Sequence, residues 1–149
     1  MIEREKIAAL VKEFFEQTGF LVEIKNAGWE NEIFKIDLEI DSPQLLIGDQ
    51  GQTLQDLQHL LRLISRKKFK ETVFLDLDLN DYKKKKTAYL RELARSAADE
   101  VALAHQEKEL PVMSAAERRI IHLELASRSD VMAESRGQEP KRQIVIKPS

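Results

Sequence analysis

The amino-acid sequence predicts an α+β fold built from two units, with a boundary near residue 80. Apolar residues recur at helical spacing in some segments and alternate with polar residues in others, which is typical of mixed structure. The first 79 residues give the order α-β-β-α-α-β, and the rest give two helices followed by two short strands. No linker or low-complexity tract separates the parts, so we expect units of residues 1–80 and 81–149.

The elements of the first unit follow from hydrophobic periodicity and turn residues. Residues 7–15 have the apolar spacing of a helix, residues 20–24 alternate as in a strand, and residues 26–31 contain turn-forming Asn and Gly. Residues 34–40 alternate most regularly and predict a half-buried strand.

Two helices and a strand complete that unit. Ser42 as N-cap and Pro43 in the first turn predict a short helix, Gln44–Ile47. After a glycine-containing loop, the apolar stripe of residues 54–64 predicts a second helix. Residues 73–79 then alternate as a third strand.

The second unit has clear helix boundaries. We expect Asn80 and Asp81 to cap a long helix that Pro111 breaks. Ser114 and Glu117 form the capping-box pattern of the next helix, which runs to about residue 128. Two short strands are predicted at residues 131–135 and 142–147.

Composition and charge narrow the class of protein. The absence of cysteine excludes disulfides and fits a reducing cytoplasm. No apolar run resembles a secretory signal or reaches the roughly 18 residues that span a bilayer, so we expect a cytoplasmic protein without membrane insertion. Residues 1–61 contain 5 Lys and Arg against 12 Asp and Glu, whereas residues 62–149 contain 19 against 14. The positive half suits a nucleic acid, although such asymmetry is also common in proteins that bind none.

A Gly-x-x-Gly loop, Gly48-Asp49-Gln50-Gly51, lies between the predicted short helix Gln44–Ile47 and the helix predicted from the apolar stripe of residues 54–64. Glycines let a nucleic-acid backbone approach closely, and the free N–H groups of a helix start favour phosphate. Spacing alone favours a glycine pair with no ligand. The far end of the same helix adds five basic residues that no acid interrupts: Arg62, Arg66, Lys67, Lys68 and Lys70.

The segment LLIGDQGQTLQDLQHLLRLI resembles the K-homology (KH) domain of the bacterial Jag/KhpB family, and the element order matches a type II KH fold. In KH domains this loop clamps the backbone of about four nucleotides. The middle pair is often basic in the family, whereas here it includes a carboxylate, which repels phosphate. The resemblance implies a clamp formed by Gly48, Asp49, Gln50 and Gly51. Ile47 beside the clamp and Gln52 at the start of the following helix are also expected to contact RNA.

Arg118 and His122 are four residues apart, so both lie on one face of the predicted helix. Alone, such a pair is more often a solvated face. The segments SAAERRIIHLELASRSDV and ESRGQEPKRQIVI, however, resemble the R-three-H (Arg-x-x-x-His) domain of the same family, a small α/β domain that binds single-stranded nucleic acid. The resemblance implies contacts by Arg118, Arg119, His122, Lys141 and Arg142.

Together the resemblances cover about residues 1–147 and imply a protein that binds single-stranded RNA, or single-stranded DNA, as an RNA chaperone or post-transcriptional regulator. Arg66, Lys67 and Lys68 join the expected RNA contacts. The family also implies a small standalone KH partner or self-association. Many members have a further N-terminal domain, whereas this chain begins at the KH helix, so we transfer no role of that domain. We expect Gly51→Asp to weaken RNA binding without unfolding the chain.

Other functions are less well supported. A protein-interaction adaptor with weak or lost RNA affinity is the main alternative, favoured by Asp49 and by the net charge of −7 over residues 1–61. A small hydrolase that uses His122 has little support, because the sequence does not place a second catalytic group beside that histidine. The histidines have no metal-ligand spacing, and we expect neither an enzyme nor a cofactor or metal site.

Overall fold

The computed structural model describes all residues, 1–149, and has the predicted α+β character. The chain divides into two compact units, Met1–Lys83 and Lys84–Ser149, which we call the N-terminal and C-terminal units. None of the helices combines the length and apolar character needed to cross a lipid bilayer.

The N-terminal unit has the predicted element order and one three-stranded sheet. Strand β1 pairs with β2 in antiparallel fashion, and β2 pairs with β3 in parallel fashion. This order is compatible with the KH resemblance. The elements are α1 (Arg4–Gln17), β1 (Glu23–Glu30), β2 (Ile33–Glu39), α2 (Gln44–Ile47), α3 (Gln52–Phe69) and β3 (Phe74–Leu79).

Helices α1 and α3 bury their apolar faces against the sheet. Strand β2 alternates as predicted, since every second side chain from Phe34 onward is buried. In β3 the alternation breaks down, because Asp78 is also buried and its carboxylate accepts from the backbone N–H groups of Leu79 and Lys83. Its hydrogen bond to Lys83 stabilises the first turn of the following helix.

The predicted turn at residues 26–31 is wrong. These residues belong mostly to β1, in which Gly28 pairs with Lys35 and Glu30 pairs with Ile33. The hairpin turn comes one step later, where Asn31 has a φ of 57°. Asparagine tolerates this left-handed conformation, so the chain reverses there and Gly28 remains in an ordinary strand.

The C-terminal unit is a second, smaller α/β arrangement with an antiparallel sheet in the order β4-β6-β5. Its first helix begins just before the division between the units. The elements are α4 (Tyr82–Ala104), β4 (Lys108–Glu109), α5 (Ala115–Leu125), β5 (Val131–Arg136) and β6 (Gln143–Pro148).

Three predicted helix boundaries need correction. Pro43 rather than Ser42 is the N-cap of α2, and no side chain caps that helix. Asn80 does not cap α4, because its side-chain amide both donates to and accepts from the backbone of Ile40. Helix α4 ends at Ala104, well before Pro111, and the intervening residues form β4.

The capping box of α5 is confirmed. The Ser114 hydroxyl accepts from the Glu117 N–H at 3.2 Å, and the Glu117 carboxylate accepts from the Ser114 N–H at 3.4 Å. This reciprocal pair fixes where α5 begins and therefore which residues face the sheet. The core beneath α5 includes Ile121, Leu125 and Ile144.

Candidate nucleic-acid interface

The Gly-x-x-Gly loop is a tight turn between α2 and α3. Gly48 ends α2, a single 3₁₀ turn covers Asp49–Gly51, and α3 begins at Gln52. Gln50, at the tip, has a φ of 52° and a ψ of 28°. The loop therefore leads directly into the N-terminus of an 18-residue helix, whose first N–H groups and dipole favour an anion.

Both glycines are required by the fold of this loop. Gly48 has a φ of +74°, and a Cβ there would lie 2.1 Å from the Thr53 hydroxyl oxygen. Gly51 has a φ of +80°, and a Cβ there would lie 2.7 Å from the Tyr82 ring. Gly51→Asp would combine backbone strain with a close contact to the Tyr82 ring, so we expect this variant to lose stability as well as any contact of the loop with RNA.

The tip of the loop presents Asp49 and Gln50 to solvent. The Asp49 carboxylate forms no ion pair, so its charge is not neutralised within the protein. Beside the tip, Ile47 is half-buried, and the Gln52 side-chain amide donates to Asp56 at 2.9 Å. An approaching phosphate would meet helix N–H groups together with one free negative charge.

The basic residues at the end of α3 differ in availability. Arg66, Lys67 and Lys70 are exposed and form no ion pair. Lys68 is exposed too, with its Nζ 5.8 Å from the centroid of the Phe69 ring. In contrast, the Arg62 Nε donates to the Leu75 carbonyl at 2.8 Å, so Arg62 helps to hold α3 against the edge of β3.

Arg118 is buried, with 6% of its surface exposed. One terminal nitrogen donates to the Met113 carbonyl at 2.9 Å and reaches the Arg142 carbonyl at 3.5 Å. The other donates to the Glu139 carboxylate and forms an ion pair with it. The resemblance implied a nucleic-acid contact for Arg118, but the structure directs its guanidinium into the protein.

His122 lies one turn further along α5 and is partly exposed. Its Nε2 is 3.1 Å from the Ser135 hydroxyl oxygen on β5. A hydroxyl can either donate to or accept from the ring, so this contact orients the imidazole in either tautomer. The ring is held at the junction of α5 and β5, next to solvent, where it could contact a base or a phosphate.

Three more predicted contacts lie on α5 and on the turn that joins β5 to β6, residues 137–142. Arg119 and Lys141 are exposed and form no ion pair. Arg142 is half-buried and donates to the Gly137 carbonyl at 2.9 Å, which closes the turn. Gly137 has a φ of +92° and a Cβ there would lie 2.8 Å from the Lys141 carbonyl, so the turn needs glycine at this position.

Many other cations of the C-terminal unit are paired with carboxylates. Arg128 contacts both Asp99 and Asp130, and its guanidinium lowers the pKa of the Asp130 carboxyl. On the outer face of the sheet, Lys147 and then Arg136 lower the pKa of Glu134. Because these cations are paired with carboxylates, the surface around them has little net positive charge. The end of α3 and the β5–β6 turn, in contrast, carry cations that form no ion pair.

Sequence reasoning missed two residues of this region, Ser135 and Glu139, as partners of the motif. Both lie in the segment ESRGQEPKRQIVI, which resembles the R-three-H domain, but a functional role was predicted only for the basic residues of that segment. The available signal was an acid, Glu139, among the cations expected to bind RNA. A carboxylate in such a place is stabilised by an ion pair with a nearby cation, and Arg118 is that cation.

The family model and the named relatives that match this chain agree with one another. Residues 88–148 match the family model of the R-three-H domain. A Clostridium symbiosum protein named RNA-binding protein KhpB is 31% identical over 144 residues, which cover 96% of this chain and 65% of the relative. A Lactiplantibacillus plantarum protein of that name is 33% identical over 116 residues, 78% of this chain and 36% of the relative.

A Bacillus subtilis protein, also named RNA-binding protein KhpB, is 32% identical over 104 residues. That match covers 68% of this chain and 50% of the relative. The chain thus spans from about a third to about two thirds of the length of these relatives.

We expect Gly48→Ala to lower the free energy of unfolding by about 2–4 kcal/mol, because a strained φ and a clash with Thr53 combine. The matched control is Gly28→Ala, since a Cβ at Gly28 meets nothing within 4 Å and its φ is ordinary. Urea denaturation of both variants measures the difference. Equal stability of the two variants would contradict the loop geometry.

Proposed function

We propose that this chain, a member of the Jag/KhpB family with an R-three-H domain, binds single-stranded RNA as an RNA chaperone or post-transcriptional regulator. Similarity to proteins named RNA-binding protein KhpB supports RNA as the ligand. The observation on which the proposal rests is the exposed, unpaired positive charge at the end of α3 and around the β5–β6 turn. We further propose that the N-terminal unit is a type II KH domain.

The first proposed contact surface is on the N-terminal unit. Here the phosphates contact the N–H groups at the start of α3, and Arg66, Lys67 and Lys68 attract the same strand. Ile47 offers an apolar surface beside the loop for a base. Asp49 opposes this binding, so the loop contributes less affinity than a loop with a basic middle pair.

The second proposed contact surface is on the C-terminal unit. Arg119, Lys141 and Arg142 supply positive charge for phosphates, and the His122 ring stacks on or hydrogen-bonds a base. Because Ser135 and the α5 backbone restrain His122, little side-chain freedom remains to be lost when RNA binds.

The activity that we propose is binding without catalysis, in the cytoplasm, with a small standalone KH protein or a second copy of the chain as protein partner. The Ser135 hydroxyl lies beside His122, but no carboxylate contacts the ring to orient it as a general base, so we propose that this contact only holds the imidazole in place. If the chain has no affinity for RNA, the alternative function is that of a protein-interaction adaptor, which Asp49 favours.

The proposed function is tested by fluorescence anisotropy with a labelled single-stranded RNA across a salt series. For wild type we expect affinity to fall with salt, by about 0.7 in the log–log slope for each phosphate contacted. The triple variant Arg66→Gln/Lys67→Gln/Lys68→Gln should bind more weakly and have a flatter slope.

The matched control is Lys6→Gln/Lys25→Gln/Lys35→Gln, which removes the same charge from cations that already pair with glutamates. Its affinity should fall less than that of the α3 variant. Absence of wild-type binding at low salt would contradict RNA binding and favour the adaptor. Equal losses in both variants would contradict a local contact at α3.

Reversing the charge at the loop tip should strengthen RNA binding. Asp49→Lys removes the unpaired carboxylate and adds a cation beside the start of α3, so the salt slope should steepen by about 0.7. Glu16→Lys makes the same charge change at an exposed position of α1 and serves as control. If Asp49→Lys gains no more affinity than Glu16→Lys, the loop does not contact the RNA backbone.

A further inference from the structure

The guanidinium of Arg118 joins three separate parts of the C-terminal unit. Met113 precedes α5, Glu139 lies within the β5–β6 turn, and Arg142 ends that turn. A planar guanidinium suits this role because its donors point in fixed directions. We call this set of contacts the Arg118 bridge.

The Arg118 bridge also determines the charge of the turn. Glu139 is substantially exposed, with 58% of its side-chain surface accessible, and lies two residues before Lys141. An unpaired carboxylate at this position would repel phosphate from Lys141 and Arg142. The ion pair with Arg118 neutralises that carboxylate and leaves the two cations of the turn as its free charge.

We propose that Arg118 is a positioning residue that holds residues 137–142 in place, while Arg119, Lys141 and Arg142 make the phosphate contacts. This inference rests on the proposed RNA binding. The first residue of the Arg-x-x-x-His motif then acts through the turn, and His122 is the motif residue that faces the ligand.

A direct phosphate contact by Arg118 makes the opposite prediction for Glu139. If Arg118 bound phosphate, Glu139 would compete for its guanidinium, and removing that acid would strengthen RNA binding. If Arg118 positions the turn, removing Glu139 weakens RNA binding, even though the variant loses a negative charge. The sign of the change therefore separates the two roles.

The experiment compares Glu139→Ala with Glu100→Ala, each of which removes one acid and one ion pair from the C-terminal unit. Anisotropy with single-stranded RNA should show Glu139→Ala binding about tenfold more weakly, the size expected for a lost charge-assisted hydrogen bond. Its salt slope should flatten by about 0.7 to 1.4, for one or two lost phosphate contacts. Glu100→Ala should bind like wild type. Unchanged or tighter binding by Glu139→Ala would overturn the proposal.

A second measurement tests the Arg118 bridge without RNA. In the free protein the Lys141 N–H donates to the Gln138 carbonyl, and the Met113 N–H donates to the Arg142 carbonyl. We expect amide hydrogen exchange at Lys141 and Met113 to be faster in Glu139→Ala than in Glu100→Ala. Unchanged exchange would overturn the positioning role. If wild type bound no RNA, the proposed function would fail, and exchange would still decide whether Arg118 positions the turn.

Discussion

In the C-terminal unit, one buried cation connects α5 to the β5–β6 turn. Two backbone carbonyls and the Glu139 carboxylate surround the guanidinium of Arg118 and offset the cost of burying it. These partners come from both sides of α5 in the sequence, so the ion pair connects the helix to the β5–β6 turn. We propose that this buried cation positions Lys141 and Arg142, the two cations of the turn that contact RNA.

In the N-terminal unit, backbone geometry has the corresponding role. Gly48 and Gly51 adopt positive φ values where any Cβ would meet Thr53 or Tyr82, so this loop conformation needs glycine at both positions. Packing therefore requires these glycines whether or not RNA binds, and Asp49 rather than the glycine pair determines the charge that a phosphate meets.

Local patterns predicted most elements of the fold, because alternation and helical spacing report directly on which face is buried. The local patterns failed where contacts with residues distant in the sequence determine the conformation. Gly28 suggested a turn, but pairing with Lys35 keeps it in β1, and Asn80 suggested a cap, but its amide binds Ile40. The spacing of Arg118 correctly placed it on one helix face with His122. Only the packing of α5 determines that Arg118 is buried.

The most direct test of the proposed RNA binding is to map the binding surface by NMR, titrating uniformly ¹⁵N-labelled protein with a short single-stranded RNA. We expect amide shifts at residues 48–52, 66–70, 119–122 and 141–142, with the side-chain Nε–H signal of Arg118 retained in the bound state. Shifts confined to the outer face of the β1–β2–β3 sheet, or none at saturating RNA, would contradict this proposal.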